Sequence, residues 1–383
     1  MVYPFILSDE PFMRQLAIIC FILFQNLAIG SADSGQTVPL DYAQNFNIVE
    51  YPTHKILTVQ NLFQNSSRTH QYALVPRDAP LPELAEDIQV IRTPVRSVVV
   101  METVYIGYLD ALDQLDSIVG AATVDFISEP RIRERARTGH IKSIQIGQNL
   151  NVESLLLLQP DLILTSISGD PTFDLPPKLI RSGLPVVITA GYMERHPLAR
   201  SEWIKFIAPF FEVSERAETV FQEAAQGYES LTRLTDTIEK RPSVFGGAPY
   251  SGTWYVAGGD SYIARTIKDA GGHYLWADNS KQGGIPLDLE RVFLKAAEAD
   301  YWIHPSDYRS LNELFAADPR FAKFRATQIG QVYNNSRQVG DNGGNNIWER
   351  GIVHPEEVLA DLIRIFHPEL IPDHELIYYE NLR

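Results

Sequence analysis

Residues 214–240 read SERAETVFQEAAQGYESLTRLTDTIEK. Apolar or small side chains recur here at alternating steps of three and four, which places them on one stripe of an α-helix. Ser214 is a suitable N-cap, and Pro242 follows the last turn and stops the helix. We predict one helix of roughly 38 Å, long enough to run along two domains. The stripe consists of Ala217, Phe221, Ala224, Tyr228, Leu231, Thr235 and Ile238.

Strand and helix patterns alternate on both sides of this helix. Short, continuous apolar runs such as SVVVM (97–101) and DLILTS (161–166) are typical of strands buried in a parallel sheet. The pattern predicts an α/β fold with two lobes, each built on a mainly parallel central sheet flanked by helices. The long helix joins the lobes, and a ligand cleft lies between them.

The predicted boundaries follow from this alternation. Two extended runs within His54–Val75 predict a β-hairpin at the start of the first lobe. The segments are a signal peptide (1–32), a tether (33–50), the N-terminal lobe (51–196), the connecting helix region (197–241), the C-terminal lobe (242–370) and a tail (371–383).

The two lobes contain similar stretches. NVESLLLLQPDLILTS (151–166) matches DLERVFLKAAEADYWIHPS (288–306) in a helix-opening Glu, an apolar helix face and an Asp before a strand. Glu153 and Glu290 are the paired acidic residues, and Asp161 and Asp300 precede the strands. Either the lobes repeat one unit, or both follow the common pattern of βα units.

Charge and the N-terminus restrict the function classes. The 383 residues carry a formal net charge of −15 without a basic run that could offset phosphate, which argues against nucleic-acid binding. Leu16–Ile29 is an apolar run that is too short to span a membrane, and small residues follow it. We predict a cleaved signal peptide starting at Met1 or Met13, with a membrane anchor or a buried helix as alternatives. Cys20, the only cysteine, lies in this run.

Ligands of open α/β sheets bind beyond the carboxyl ends of the strands. The segments that follow the predicted strands are rich in Tyr, Trp, Arg and Asn, which suit an anionic or flat ligand, although any single aromatic residue could instead serve packing. The candidate ligand-binding residues are Tyr105, Ser168, Tyr192, Arg195, Arg200, Trp254, Trp302, Asn345, Trp348 and Arg350.

An enzyme is not predicted, and no cofactor is expected. The sequence contains no GxSxG, Walker A or HExxH motif and no recognisable set of nucleophile, base and acid. His196, His304 and His354 each precede a proline at loop positions, so a histidine metal site is an alternative. Ordinary turn chemistry explains the same pattern.

Three stretches resemble the helix-linked class of periplasmic substrate-binding proteins, which serve ABC importers for ferric siderophores, haem and cobalamin. The resemblance covers about residues 50–370. It is carried by NVESLLLLQPDLIL (151–164), PLARSEWIKFIAPFF (197–211) and GDNGGNNIWERGIVHPEEVLADLIRIFHPEL (340–370).

The resemblance implies a periplasmic monomer that captures a small-molecule ligand, closes only slightly on it and delivers it to a membrane permease. It also implies that Glu153 and Glu290 dock against arginines of that permease. Arg195, Arg200 and Arg350 fit a ferric siderophore, the ligand we expect, whereas the tryptophans and Tyr192 fit cobalamin. A histidine-bound metal ion is the third alternative.

Overall fold

A computed structural model of the chain describes residues 34–146, 149–169, 174 and 183–383. The predicted signal peptide with Cys20 lies outside these residues. The sequence also predicts a helix at 173–181, of which only Asp174 is described. Within the described ranges, no helix has both the length and the apolar character that crossing a membrane requires.

The strands are numbered in chain order. They are β1 (Gln36–Thr37), β2 (Phe46–Glu50), β3 (Lys55–Val59), β4 (His70–Pro76), β5 (Gln89–Thr93), β6 (Val98–Val100), β7 (Ile118–Ala121), β8 (Lys142–Ser143), β9 (Gln145–Ile146), β10 (Asn149–Leu150), β11 (Leu162–Ser166), β12 (Val186–Thr189), β13 (Ser243–Gly246), β14 (Pro249–Tyr250), β15 (Thr253–Ala257), β16 (His273–Tyr274), β17 (Gly284–Leu287), β18 (Tyr301–Ile303), β19 (Val332–Asn334) and β20 (Glu380–Asn381).

The described α-helices are α1 (Val104–Ala111), α2 (Pro130–Arg137), α3 (Val152–Leu158), α4 (Pro197–Ser201), α5 (Ile204–Ile207), α6 (Ser214–Thr235), α7 (Tyr262–Asp269), α8 (Leu289–Ala296), α9 (Leu311–Ala317), α10 (Arg325–Gln328), α11 (Arg350–Val353) and α12 (Pro355–Phe366). Short 3-10 helices occur at Leu115–Ser117, Val124–Phe126, Gly191–Met193, Ala208–Phe211, Pro319–Lys323 and Asn346–Trp348.

Each lobe has a central five-stranded sheet. In the N-terminal lobe the order is β12-β11-β6-β7-β8, and all pairs are parallel. In the C-terminal lobe the order is β16-β13-β18-β19-β20, in which only β20 is antiparallel. The predicted α/β fold with two mainly parallel sheets is confirmed. A small antiparallel sheet, β14-β15-β17, is added to the C-terminal lobe.

The helix α6 joins the lobes and buries most of the predicted stripe, including Phe221 and Tyr228. Leu231 is half-buried, and Ile238 lies beyond the end of the helix. Its other face is polar. The helix α12 packs against α6.

The helix ends at Thr235, five residues before the predicted end. Asp236 and Thr237 are weak helix formers. Arg241 donates to the Thr235 carbonyl at 3.3 Å, which gives one carbonyl of the last helical turn a hydrogen-bond partner.

The sequence pattern of residues 198–211 predicts one helix leading into α6. This prediction is wrong, because the segment is divided into α4, α5 and a 3-10 turn. Pro209 has no N–H to continue an α-helical ladder, which accounts for the tighter last turn. The Glu202 side chain lies between α4 and α5 and is fully buried. Its carboxylate accepts the N–H groups of Asp41, Tyr42 and Ala43 at 2.7–2.8 Å.

Residues 36–50, predicted as part of a tether, are integrated in the fold. They supply β1 and β2 to a five-stranded sheet of order β1-β2-β3-β4-β5, in which β3 and β4 form the predicted hairpin. The predicted tail is also structural. The buried carboxylate of Asp361 accepts the N–H groups of Ile377, Tyr378 and Tyr379, and β20 pairs with β19.

Candidate functional site

Two recesses lie near the ends of strands, one in each lobe. The recess of the C-terminal lobe has about 550 Å³ of free space, counting the part open to solvent, and Tyr262, His304 and Trp348 line it. The recess of the N-terminal lobe has about 380 Å³ and is lined by Glu102 and a group of aromatic side chains. Arg200 borders both recesses, so they are neighbours, and we refer to them together as the cleft.

Arg200 projects from α4 at the centre of this cleft. Its guanidinium carbon lies 4.1 Å from the ring centroid of Tyr262, so the cation stacks on an aromatic face of the opposite lobe. The Nε atom is buried and has no hydrogen-bond partner among the described residues. A buried N–H without an acceptor is costly, and an anionic ligand atom would satisfy it.

Glu102 is the acidic group of the N-terminal recess. Its carboxylate accepts the N–H of Ser166 at 2.6 Å. Burial raises the pKa of this carboxyl above its usual range, and the hydrogen bonds from Ser166 and the charge of Arg200 oppose that rise. The cleft therefore holds an arginine and a carboxyl that protonates unusually easily.

Two predicted tyrosines border the N-terminal recess. Tyr105 is buried, and its hydroxyl shares a 2.9 Å hydrogen bond with the Thr189 hydroxyl. Tyr192 is 38% exposed, and its hydroxyl donates towards the carbonyls of Leu62 at 3.0 Å and Ile167 at 2.8 Å. Both rings are thus held rigidly, and Tyr192 presents part of its ring to solvent.

His304 lies on the floor of the C-terminal recess. Its backbone has a φ of +53°, a left-handed conformation that is unusual for residues other than glycine. Its Nε2 is hydrogen-bonded to the Tyr379 hydroxyl. Burial lowers the pKa of His304 to about 4, so the ring is neutral near pH 7.

The sequence did not identify two residues of the cleft. Glu102 was not among the candidate ligand-binding residues, and Tyr379 lies in the segment that was predicted to be a tail.

Trp348 lies at the rim of the C-terminal recess with 39% of its surface exposed. Asn345, three residues earlier, supports this loop: its amide donates to the Asn335 carbonyl at 2.9 Å, and its side-chain oxygen accepts the N–H of Ile347 at 3.2 Å. Ser168 is bound to Asp174 through both its N–H and its hydroxyl, at 2.5 and 2.9 Å. Asn345 and Ser168 therefore shape loops in this structure.

The other two predicted arginines are engaged in ion pairs. Arg195 contacts Asp260 at 2.7 Å, which links the end of the N-terminal lobe to the C-terminal lobe. Arg350 holds Glu357 in a bidentate pair, with a shortest distance of 2.6 Å. A ligand would have to displace a carboxylate to reach either guanidinium, so Arg200 differs from them.

Trp254 and Trp302 do not line the cleft. Both are fully buried in the core of the C-terminal lobe, where their ring centroids lie 5.7 Å apart and Phe245 packs against both. Their indole N–H groups donate to the carbonyls of Gly246 and Gly247. Each lies within a strand, not beyond its end, which is why a rule based on strand ends misplaced them.

The three candidate metal-binding histidines do not converge. Among the described residues, the one group with metal-ligand spacing is His354, Glu356 and Glu357. His196 instead caps α4, since its Nδ1 accepts the N–H of Leu198 at 3.1 Å. Glu357 is already bound by Arg350, which would compete with a cation there.

Glu153 and Glu290 lie far along the chain from each other but have equivalent positions. Each is the second residue of its helix, α3 or α8, and both side chains are exposed. The preceding caps are also alike: Asn151 accepts the N–H of Ser154 at 2.9 Å, and Asp288 accepts that of Arg291 at 2.8 Å.

Comparison with known proteins adds a family and a fold. The sequence profile of the family described as "Periplasmic binding protein" matches residues 98–337, well over half of the chain. An uncharacterised lipoprotein of Methanocaldococcus jannaschii is 25% identical over 354 residues, covering 86% of this chain and 82% of its own length.

Solved structures with the same fold include a periplasmic haem-binding protein from Pseudomonas aeruginosa, at a TM-score of 0.57 and 17% identity, covering 76% of this chain and 98% of the other. An Fe³⁺-hydroxamate transport protein from Saccharomonospora viridis aligns at a TM-score of 0.55 and 18% identity, covering 72% of this chain and 94% of the other.

Proposed function

Because the chain belongs to the periplasmic binding protein family, we propose that it is the solute-binding component of an ABC importer and captures a ferric siderophore between its lobes. The family consists of substrate-binding proteins and not of enzymes. Its members work outside the cytoplasm, and relatives of this chain are described as lipoproteins. We place the mature protein in the periplasm, as a monomer, after removal of residues 1–32.

The Arg200 guanidinium, whose buried Nε has no hydrogen-bond partner within the described part of the chain, carries the choice of ligand class. Ferric siderophores present oxygen-rich, often anionic surfaces, and a guanidinium is the side chain best suited to such groups. Arg200 is also stacked on Tyr262, so its orientation is fixed before the ligand arrives. The apolar walls of the cleft, formed by residues such as Ile347 and Ile352, would cover the ligand's carbon skeleton.

Cobalamin binding is the second candidate. The partly exposed rings of Tyr192 and Trp348 favour a broad, flat ligand. Trp254 and Trp302 do not support cobalamin binding, because both are buried in the core. A histidine-bound metal ion has less support, since the described histidines do not meet at one site.

Delivery of the ligand requires contact with the membrane permease. We propose that Glu153 and Glu290 dock on cationic side chains of the permease, one on each lobe. The equivalent helix positions of the two residues support this role. The Arg195–Asp260 ion pair already connects the two lobes, and the long α6 is stiff, so we expect only a slight closure on ligand binding.

The test is a titration of the purified mature protein with a ferric hydroxamate, cobalamin, haem and Zn²⁺ in parallel, followed by tryptophan fluorescence. We expect submicromolar binding of the ferric hydroxamate. Arg200→Ala should weaken this binding about a hundredfold, because a buried charge-assisted contact is lost. Arg233→Ala, on the exposed face of α6, is the matched control and should bind as the parent protein does.

Saturable binding of cobalamin alone would replace the siderophore by the second candidate. A response to Zn²⁺ alone would move the site to the histidines. If Arg200→Ala bound the ferric hydroxamate as tightly as the parent, the cleft described here would not be the binding site.

A further inference from the structure

The helices α3 and α8 have equivalent places in the two lobes. Each precedes the strand that pairs in parallel with the first strand of its central sheet: β11 pairs with β6, and β18 pairs with β13. Each helix also begins after a side chain that caps its first turn. A side chain at a given position of α3 can therefore be compared directly with the side chain at the same position of α8.

Such a feature lies four residues beyond each docking glutamate. Leu157 follows Glu153, and Leu294 follows Glu290, at a spacing that places the two side chains of each pair on one helix face. Leu294 is 86% exposed and Leu157 is 78% exposed. These are the two highest exposures among the large apolar side chains of the described residues. A single exposed leucine is common on protein surfaces. An exposed leucine at the equivalent position of two equivalent helices, however, points to a shared role.

The surroundings of each pair show what would fit against it. On α3, Val152 and Leu156 are also partly exposed, which widens the apolar area. On α8 the guanidinium of Arg320 lies 3.7 Å from Glu290, but its tighter partner is Asp318 at 2.7 Å, so a cation of the partner would compete only with the longer contact. An exposed carboxylate beside an exposed leucine fits a partner site that combines a cationic side chain with an apolar pocket.

The duplication also constrains the partner. A surface that presents the same carboxylate and leucine twice is complementary to a partner with two equivalent sites, as in two identical subunits. We propose that Leu157 and Leu294 are apolar anchors, each of which enters a pocket beside the docking cation in one of two equivalent halves of the permease. This inference rests on the proposed importer function.

The experiment compares Leu157→Ser, Leu294→Ser and the double variant with the parent protein. Leu81→Ser is the matched control, because Leu81 is 60% exposed on the N-terminal sheet region and far along the chain from either helix. Binding is measured by interferometry to the importer's permease and ATPase reconstituted in lipid nanodiscs. Every variant is also titrated with the ferric hydroxamate, and its mass in solution is determined.

We expect each single leucine variant to bind the nanodiscs about tenfold more weakly, and the double variant more weakly still. Leu81→Ser should match the parent, and all variants should keep their affinity for the ferric hydroxamate. Full binding by both leucine variants, with loss only in Glu153→Gln or Glu290→Gln, would overturn the anchor role.

Two further outcomes would also overturn the proposal. One is a parent protein that dimerises through Leu157 and Leu294, because the surface would then serve a second copy of the chain. The other is a parent protein that binds the ferric hydroxamate but not the nanodiscs, which leaves ligand capture intact. Failure to bind the ferric hydroxamate would instead contradict the proposed function itself.

Discussion

The hydroxyl of Ser97 accepts the backbone N–H of Asp161 at 3.0 Å, and the Asp161 carboxylate accepts the N–H of Ser97 at 3.2 Å. Ser243 and Asp300 form the same reciprocal pair in the other lobe, at 3.0 and 2.8 Å. Each pair links the start of the first strand of a central sheet, β6 or β13, to the start of the strand beside it, β11 or β18. The local similarity seen in the sequence is thus a repeat of one hydrogen-bonded unit.

Removing either hydroxyl should destabilise its lobe. We expect Ser97→Ala to lower the free energy of unfolding by about 1 kcal/mol, because the N–H of Asp161 loses its acceptor. Ser243→Ala should cost about the same or less. There the Asp300 N–H keeps the Ser243 carbonyl as an acceptor at 3.0 Å, and the lost interaction is the donation of the Ser243 hydroxyl to the Asp300 carboxylate at 2.7 Å. Urea denaturation followed by circular dichroism measures this loss. Ser230→Ala, on the exposed face of α6, is the control and should change stability by less than about 0.5 kcal/mol.

The lobes meet closely at Gly107 of α1. A Cβ at this position would lie 2.2 Å from the carbonyl oxygen of Glu349, which belongs to the C-terminal lobe. Gly107→Ala should therefore destabilise the protein by about 1–3 kcal/mol, despite the better helix propensity of alanine. A thermal melt of this variant beside Gly283→Ala tests the prediction, since no atom lies within 4 Å of a Cβ at Gly283. Equal melting temperatures for the two variants would contradict it.

Glu349 makes the same contact sensitive to pH. Its buried carboxylate accepts the N–H groups of Ser128 at 2.6 Å and Glu129 at 3.2 Å, across the lobe boundary. Burial raises the pKa of Glu349 from 4.5 to about 7, although these hydrogen bonds favour the charged form. A carboxyl with a raised pKa in the folded state stabilises the fold below its unfolded pKa. That stabilisation is lost as the pH rises through 7.

Glu349 should therefore contribute at most about 3 kcal/mol to the free energy of unfolding at pH 5, and this contribution should be lost by pH 8. Buried histidines such as His304 act in the opposite sense, so the comparison with Glu349→Gln, which keeps the shape but cannot ionise, isolates the effect. The parent protein should lose stability relative to this variant as the pH rises. Urea titrations of both proteins at four pH values provide the comparison. Identical pH profiles would show that Glu349 does not titrate in this window.

Substitutions of Trp302 and Trp348 should distinguish a tryptophan that packs in the core from one that contacts the ligand. Trp302→Ala removes a fully buried ring and should cost about 3–5 kcal/mol of stability. Trp302→Phe is the milder variant, and it should keep the ligand affinity of the parent protein. Trp348→Ala should leave stability nearly unchanged and weaken ligand binding. Isothermal titration of the folded variants decides between these roles, and weaker binding by Trp302→Phe would return Trp302 to the site.

The sequence predicted the elements of this fold well, because its signals are local and periodic. The stripe on α6 and the short apolar runs of β6 and β11 are patterns of this kind. The C-terminal segment was misjudged for the opposite reason. Its burial depends on Asp361, whose carboxylate meets residues 377–379 only after the chain has folded back.

The site was predicted in part. Arg200 and Trp348 were identified because they follow predicted strands, and the structure places both on the cleft. Glu102 directly follows the predicted strand 97–101, so an acidic residue at the end of a buried strand was the signal that could have identified it. The ion pairs that occupy Arg195 and Arg350 could not be inferred, because their carboxylate partners are set by tertiary packing.

The position of β20 makes the central sheet of the C-terminal lobe depend on residues far along the chain. β20 is the edge strand of that sheet and pairs antiparallel with β19. The buried Leu382 follows it directly. A peptide tag fused after Arg383 would crowd this edge strand, so a tag placed ahead of β1 is the sounder choice for purification.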